Sequence, residues 1–264
     1  MSTAPLDPHA CARVILSCLD LTSLNDDDGP AQVDALCEAA LSLPWGRPAA
    51  VCVWPALAAQ ARQCLPPDVA VAAVANFPAG ACDIEAARRD VELIVQSGAQ
   101  EVDVVLPWRT LLAHDVPACR ALLDAVRRAS GPLRLKVILE SGSLPDPESL
   151  RQACALALDS GADFLKTSTG KAGTGATPQA AQIMLSAIDS HTQAHALAVG
   201  FKASGGIRTV SDAALYVELV RQHFGDSGLS PQRLRFGASA LLQDLKRVLL
   251  GNTEPTVNEP PCAY

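Results

Sequence analysis

The chain has 264 residues, 49% of them hydrophobic, and a formal net charge of -7, with a sequence pI near 5.2. One domain of that length can bury a large core, while the acidic balance excludes a nucleic-acid or anionic-membrane surface, so an anionic ligand must be met by a local pocket. No run approaches the roughly 18 apolar residues of a membrane span, and Met1 to Pro8 has no basic region followed by an apolar core, which predicts a cytoplasmic protein with no membrane partner.

From Leu19 the chain reads as a short extended piece through Asp20 and Thr22 that runs into a turn-forming, helix-capping cluster, Asn25-Asp26-Asp27-Asp28. Helical sequence follows from about 32 to 42. A strand over Ala49 to Trp54 is ended by Pro55, and Ala-rich helical sequence leads to Cys64. The next strand, Ala70 to Asn76, stops at Phe77-Pro78-Ala79-Gly80, and Asp83 to Ser97 has helical periodicity with Gly98 as its C-terminal stop. Further strands are predicted over Glu101 to Leu106, Leu133 to Glu140, Asp163 to Lys166, Ala198 to Ser204 and Arg233 to Phe236, the last two ended by Gly205-Gly206 and Gly237-Ala238-Ser239.

The sixth strand is bracketed by Gly161 and by Thr177-Pro178, an N-cap followed by a proline at the first helical position. Counting the N-terminal piece, eight strands are each followed by helical sequence, which predicts a closed (β/α)8 barrel over residues 1–251 and a flexible, proline-rich tail over 252–264. There is no G-x-G-x-x-G after a strand and no G-x-x-x-x-G-K-[ST], since Ala172 follows Gly170-Lys171, so dinucleotide and P-loop functions are excluded.

Nine cysteines contain no C-x-x-C pair, and several lie in apolar stretches, as expected of free thiols in a reducing compartment. His191 and His195 have the i, i+4 spacing of metal ligands but no third ligand nearby, and read as an exposed helix end.

The chemistry is carried by charged residues in apolar strands. Asp103, Lys136, Lys166 and Lys202 fall on four successive strands, and adjacent strands lie only about 4.8 Å apart. If all four point inward, three ammonium groups and one carboxylate share a small space. Burial disfavours a lysine's charged form, and two ammonium groups about 5 Å apart repel by roughly 3 kcal/mol at an effective dielectric near 20. One amine is then nucleophilic near neutral pH. An amine attacking a carbonyl gives an imine, an electron sink that needs no metal or other cofactor, with Asp103 placed to move protons. The turns at Gly205-Gly206 and Gly237-Ala238-Ser239 occupy the usual phosphate position of barrels, with Lys171 and Ser239 adding a charge and a hydroxyl.

Several segments together resemble deoxyribose-phosphate aldolase, a class I aldolase family. They are Asp20-Leu21-Thr22 with Asn25-Asp26-Asp27-Asp28, Asn76-Phe77-Pro78, Glu101 to Val105, Leu135 to Ile138, Asp163 to Lys171, Gly200-Phe201-Lys202, Gly205-Gly206 and Arg235 to Ser239. The resemblance implies a barrel, commonly dimeric, that cleaves 2-deoxy-D-ribose 5-phosphate to acetaldehyde and D-glyceraldehyde 3-phosphate without a cofactor. It further implies that Lys166 forms the Schiff base, Lys202 depresses its pKa, and Asp103 transfers protons with Lys136 beside it. Asp20 and Thr22 would lie near the sugar hydroxyls and Cys52 near the small aldehyde. Phosphate would rest on Thr169, Lys171, Gly205, Gly206, Gly237 and Ser239, and the terminal Tyr264 resembles a proton donor to the enamine carbon. The chain departs from the family pattern at Ala203-Ser204, where Pro-Ala is frequent, and at Ala240, where a second serine is frequent. Two other functions fit the same residues: a phosphosugar isomerase or epimerase with Asp103 as base, and a phosphosugar-binding relative without turnover.

Overall fold

Short runs of small and β-branched apolar residues form eight strands. They are β1 (Leu19–Thr22), β2 (Ala50–Val53), β3 (Ala70–Ala75), β4 (Glu101–Val105), β5 (Arg134–Ile138), β6 (Phe164–Lys166), β7 (Gly200–Ser204) and β8 (Leu234–Ala238). In the computed structural model, which describes residues 6–251, every strand pairs in parallel with its sequence neighbours, and β8 returns to β1 to close the predicted barrel. Tyr264 and the whole 252–264 segment lie outside the described residues.

Among the described residues ten helices accompany the strands: α1 (Pro8–Ser17), α2 (Pro30–Leu41), α3 (Ala58–Cys64), α4 (Ile84–Gln96), α5 (Trp108–Leu112), α6 (Val116–Ser130), α7 (Pro147–Asp159), α8 (Pro178–His195), α9 (Val210–Phe224) and α10 (Leu241–Leu249). Asp83, Asp115, Asp146, Thr177 and Thr209 each cap a helix by accepting from a first-turn amide, which satisfies donors the helix cannot bond itself. Thr209 and Asp212 form the reciprocal capping box.

The structure adds elements that the periodicity did not give. α1 precedes the first strand, started by Asp7, whose carboxylate accepts from the amides of His9 and Ala10. It packs on α9 and α10, burying Ala12, Ile15 and Leu16. The helix after β4 is divided into α5 and α6, and a 3-10 turn, Pro55–Leu57, precedes α3. Gly237 and Ala238, read from sequence as the turn that ends the last strand, belong to β8 itself and pair with Ser204, Asp20 and Leu21.

Alternation along the strands sorts residues into two sets. Val51, Val71, Val102, Leu135, Val137, Leu165, Phe201 and Phe236 belong to the main core between barrel and helices. The intervening residues fill the lumen, as the period of two requires. On β2 and β3 the lumen is apolar, where Cys52, Ala72 and Val74 form a second cluster with Leu24, edged by Trp54 and Phe77. From β4 round to β1 it is charged. Between β6 and β7 one ring serves two strands, since a Cβ on Gly200 would lie 2.2 Å from Cε1 of Phe164. The guanidinium carbons of Arg134 and Arg235 stand 5.8 and 5.7 Å from the centre of that ring.

Candidate active site

Register brings the predicted residues into one cluster. Asp103 pairs with Lys136, and Lys166 with Lys202, so all four face the same space from β4, β5, β6 and β7. Asp103 is the hub. Its Oδ1 accepts from Lys136 Nζ at 2.6 Å, and its Oδ2 accepts from both Lys166 Nζ at 2.9 Å and Lys202 Nζ at 2.7 Å.

The cluster is larger than the sequence reading of three lysines and one carboxylate. Asp20, on β1, accepts from Lys202 at 2.5 Å through Oδ2 and from Arg235 at 2.6 Å through Oδ1. Both of its oxygens are thus held by cations within a fully buried side chain. Glu101, two residues before Asp103 and on the same face of β4, takes a bidentate contact from Arg235 at 3.0 and 2.8 Å and an ammonium contact from Lys136 at 2.7 Å. Neither Glu101 nor Arg235 was singled out from sequence. The criterion that found Asp103, a charge alternating with apolar residues inside a strand, applies equally to Val102-flanked Glu101 and to Leu234-Arg235-Phe236.

The three lysines are not equivalent. Among the described residues Lys136 meets Asp20, Glu101 and Asp103, and Lys202 meets Asp20 and Asp103, whereas Lys166 meets Asp103 alone. Burial disfavours the charge of all three. For Lys202, Asp103 and Asp20 outweigh burial and hold the group above the usual lysine range. For Lys136, Asp103 and Glu101 do the same. For Lys166 burial wins: Asp103 opposes it, the Lys202 charge reinforces it, and the amine falls below its ordinary value. The main cause of the depression is therefore desolvation, with ammonium repulsion secondary. Asp103 itself is held well below the carboxylate range, its burial outweighed by Lys136, Lys166 and Lys202. Cys52 faces the same cluster, its thiol pushed up by burial and by Asp103.

The strand ends beyond Lys166 are tied to their neighbours. Thr167 Oγ1 donates to Ser204 O and accepts from Ser204 N, both at 2.9 Å, and Ser168 and Ser204 exchange hydroxyl-to-carbonyl bonds at 2.5 Å. Ser204, one of the departures from the family pattern, is thus used as a stitch between β6 and β7. Glu140, in the left-handed region at φ 53 and buried, accepts from Thr169 N at 3.2 Å. Thr169 Oγ1 in turn accepts from Lys171 N at 3.0 Å. Gly205 has φ 87 and packs on the backbone of the preceding loop, since a Cβ there would lie 2.9 Å from Gly175 Cα and 2.8 Å from Ser168 Oγ.

Gly206, Lys171 and Ser239 are exposed on the rim at the C-terminal ends of β7, β6 and β8. The Lys171 ammonium contacts the solvent-exposed Asp26 at 3.8 Å. Ala240 sits at the N-cap of α10 without a side-chain hydrogen bond, so no side-chain oxygen from that position caps the first turn. Gly237 touches the cluster from β8: a Cβ there would lie 3.0 Å from Lys202 Cε. Thr22 Oγ1 donates to Asp20 O at 2.8 Å. Among the described residues no group of three or more His, Cys, Asp or Glu could hold a metal, the rings of His191 and His195 lie tilted against each other at the end of α8, and eight cysteines are free thiols. No described helix is long and apolar enough to cross a membrane.

A parallel barrel with one depressed amine among paired cations, near the C-terminal ends of its strands, is the architecture of enzymes whose reactive group is a lysine. Residues 14–246 match the profile of the DeoC/LacD family aldolases. The chain is 43% identical over 248 residues to a deoxyribose-phosphate aldolase of Agrobacterium fabrum, covering 92% of this chain and 93% of that one. A structure from Coccidioides immitis assigned as a deoxyribose-phosphate aldolase superposes with a TM-score of 0.77 at 30% identity, over 90% of this chain and 86% of that one. A tetrameric deoxyribose phosphate aldolase from Aeropyrum pernix gives 0.71 at 25% identity, over 90% and 92%. This chain belongs to the DeoC/LacD aldolase family.

Proposed function

We propose that the protein is an aldehyde-lyase that reversibly cleaves 2-deoxy-D-ribose 5-phosphate to acetaldehyde and D-glyceraldehyde 3-phosphate through an imine on Lys166. The observation that carries this reading is the inequality of the lysines: Lys166 alone has a single carboxylate partner and a depressed pKa. Its neutral amine adds to the C1 aldehyde, and loss of water gives the imine. The C3 hydroxyl then gives up its proton, the C2–C3 bond breaks toward the imine nitrogen, and glyceraldehyde 3-phosphate leaves. Protonation of the enamine carbon and hydrolysis release acetaldehyde and the amine. Asp103, in contact with Lys166 and Lys202, takes and returns protons, and Lys136 keeps it ionised.

Phosphate binds at the rim through Thr169, Lys171, Gly205, Gly206 and Ser239, next to Gly237. Cys52 and the apolar cluster around it accept the two-carbon fragment. Tyr264, outside the described residues, donates to the enamine carbon, and equal deuterium exchange into acetaldehyde by the parent and Tyr264→Phe would remove that role. The protein acts in the cytoplasm as a homodimer, which light scattering of the purified chain tests.

Borohydride reduction in the presence of substrate is the decisive experiment. A substrate-derived adduct on Lys166, located by peptide mass, is expected. Substrate binding without trapping would point instead to an isomerase or to a binding relative.

A further inference from the structure

We propose that Glu101 and Arg235, on the floor of the barrel, form a positioning pair that fixes which of the three lysines is without a proton. Both are buried, at 1% and 2% exposure, and their other contacts lie toward the N-terminal mouth. There Arg134 reaches Glu101 at 2.7 Å, and a concavity of about 540 Å³ opens among Arg47, Asp68 and Pro231. Neither touches Lys166. Each ends on a group that reaches the hub: Glu101 on Lys136, which bonds Asp103, and Arg235 on Asp20, which bonds Lys202.

A purely structural floor has no need of these charges. Barrel interiors are filled well by branched apolar residues, and a buried ion pair adds little stability over an apolar pair of the same volume. The tally of charge gives the pair another use. The buried strand positions of the lumen form a set of four cationic side chains, Lys136, Lys166, Lys202 and Arg235, against three carboxylates, Asp20, Glu101 and Asp103, while Arg134, partly exposed at the mouth, is screened by solvent. One neutral lysine balances it, and the lysine with the fewest carboxylate contacts is Lys166. The groups facing Lys166 are Asp103 from β4, Lys202 from β7 and the Cys52 thiol from β2. Lys136 from β5 and Asp20 from β1 stand behind them, and β3 presents only Ala72 and Val74.

Changing the tally at the floor then moves the proton at the top. Loss of the Arg235 charge lets Lys166 keep its proton to higher pH. Loss of the Glu101 charge drives the proton off at lower pH. A unit charge at roughly 8–10 Å, with an effective dielectric near 20, shifts a titration by about one pH unit.

This inference rests on Lys166 being the imine-forming amine, and the two ideas are tested separately. Borohydride trapping tests the amine's role. The floor is tested by titrating the Lys166 side chain by NMR in protein labelled with carbon-13 at lysine Cε, with Lys166→Met identifying the signal. The titration reads the proton whether or not an imine forms. Arg235→Gln is expected to raise the midpoint by about one unit and to move the acid limb of kcat/KM with it, and Glu101→Gln to lower both similarly. The double variant returns the midpoint toward the parent, and Glu101→Asp, which keeps the charge, leaves it in place. Unmoved midpoints, or shifts of the same sign in both single variants, would overturn the proposal. If the single variants do not fold, Arg134→Gln decides, because its half-exposed charge touches the same carboxylate. A small upward shift supports the pair's role, and no shift overturns it.

Discussion

Leu165 and Lys166 are consecutive residues of one three-residue strand, and they belong to different economies of the molecule. Leu165 points outward into the apolar layer between barrel and helices, and Lys166 points inward to a carboxylate. The outer layer supplies stability, since each fully buried aliphatic or aromatic side chain contributes about 1.5–3 kcal/mol. The inner layer does not, because desolvating charges offsets most of their attraction. Strand parity therefore separates what holds the barrel together from what it is proposed to do, and substitutions in one layer should leave the other's property nearly intact.

The largest effect expected is on turnover. Lys166→Met, near isosteric and uncharged, should lower kcat by about four orders of magnitude or more, the scale seen when a covalent nucleophile is removed. It should leave the melting temperature close to that of the parent, because the neutral side chain keeps the lumen's charges balanced. A variant that retains turnover breaks the assignment of chemistry to this residue. One position earlier, Leu165→Ala should lose about 2–5 kcal/mol of unfolding free energy in a denaturant titration, with turnover per folded molecule roughly unchanged. A collapse of kcat there would show that the two layers are coupled.

Lys202→Met sharpens the contrast within the inner layer. The Nζ atoms of Lys166 and Lys202 both touch Oδ2 of Asp103, at 2.9 and 2.7 Å, and so lie within about 6 Å of each other, where two positive charges would repel by roughly 3 kcal/mol. Removing Lys202 ends that repulsion and leaves Asp103 less neutralised. Both changes favour the charged form of Lys166 and raise its pKa, so the acid limb of kcat/KM should move to higher pH by about one to two units. A stationary limb would mean that desolvation alone sets the amine. The smallest effect belongs to Gly237→Ala, whose Cβ would meet Lys202 Cε at 3.0 Å and Ser204 Cβ at 2.9 Å. A shift of a few tenths of an ångström should cost about 1–3 kcal/mol and reduce turnover a few-fold, as differential scanning calorimetry and steady-state assays would show.

The eight strands were legible because parallel strands covered on both faces read as short apolar runs with sharp stops. Asp103, Lys136, Lys166 and Lys202 stood out because each interrupts such a run. What escaped had specific causes. α1 carries the same signal as α8, an N-cap followed by proline, but its Asp7-Pro8 start lies ahead of the repeating units and so outside their rhythm. Gly237 looked like punctuation, whereas a glycine inside a strand marks a close approach, here of the Lys202 side chain. Arg235 and Glu101 were hidden by their context: the first reads as part of a motif, and the second opens its strand, where a charge is ordinarily solvated. Which lysine is the weak base depends on who pairs with whom across the lumen, and that requires the register of β1 and β8, more than two hundred residues apart in the chain.

Phe164 and Gly200 have a consequence for anyone who wishes to reshape this lumen. The phenyl ring occupies the volume that a side chain at 200 would claim, so the two positions hold one shared allotment of space on neighbouring strands. Combinatorial libraries that vary them independently will consist mostly of clashes, whereas paired exchanges such as Phe164→Leu with Gly200→Ala keep the volume nearly constant. Among descendants of this sequence, the two positions should drift together or not at all.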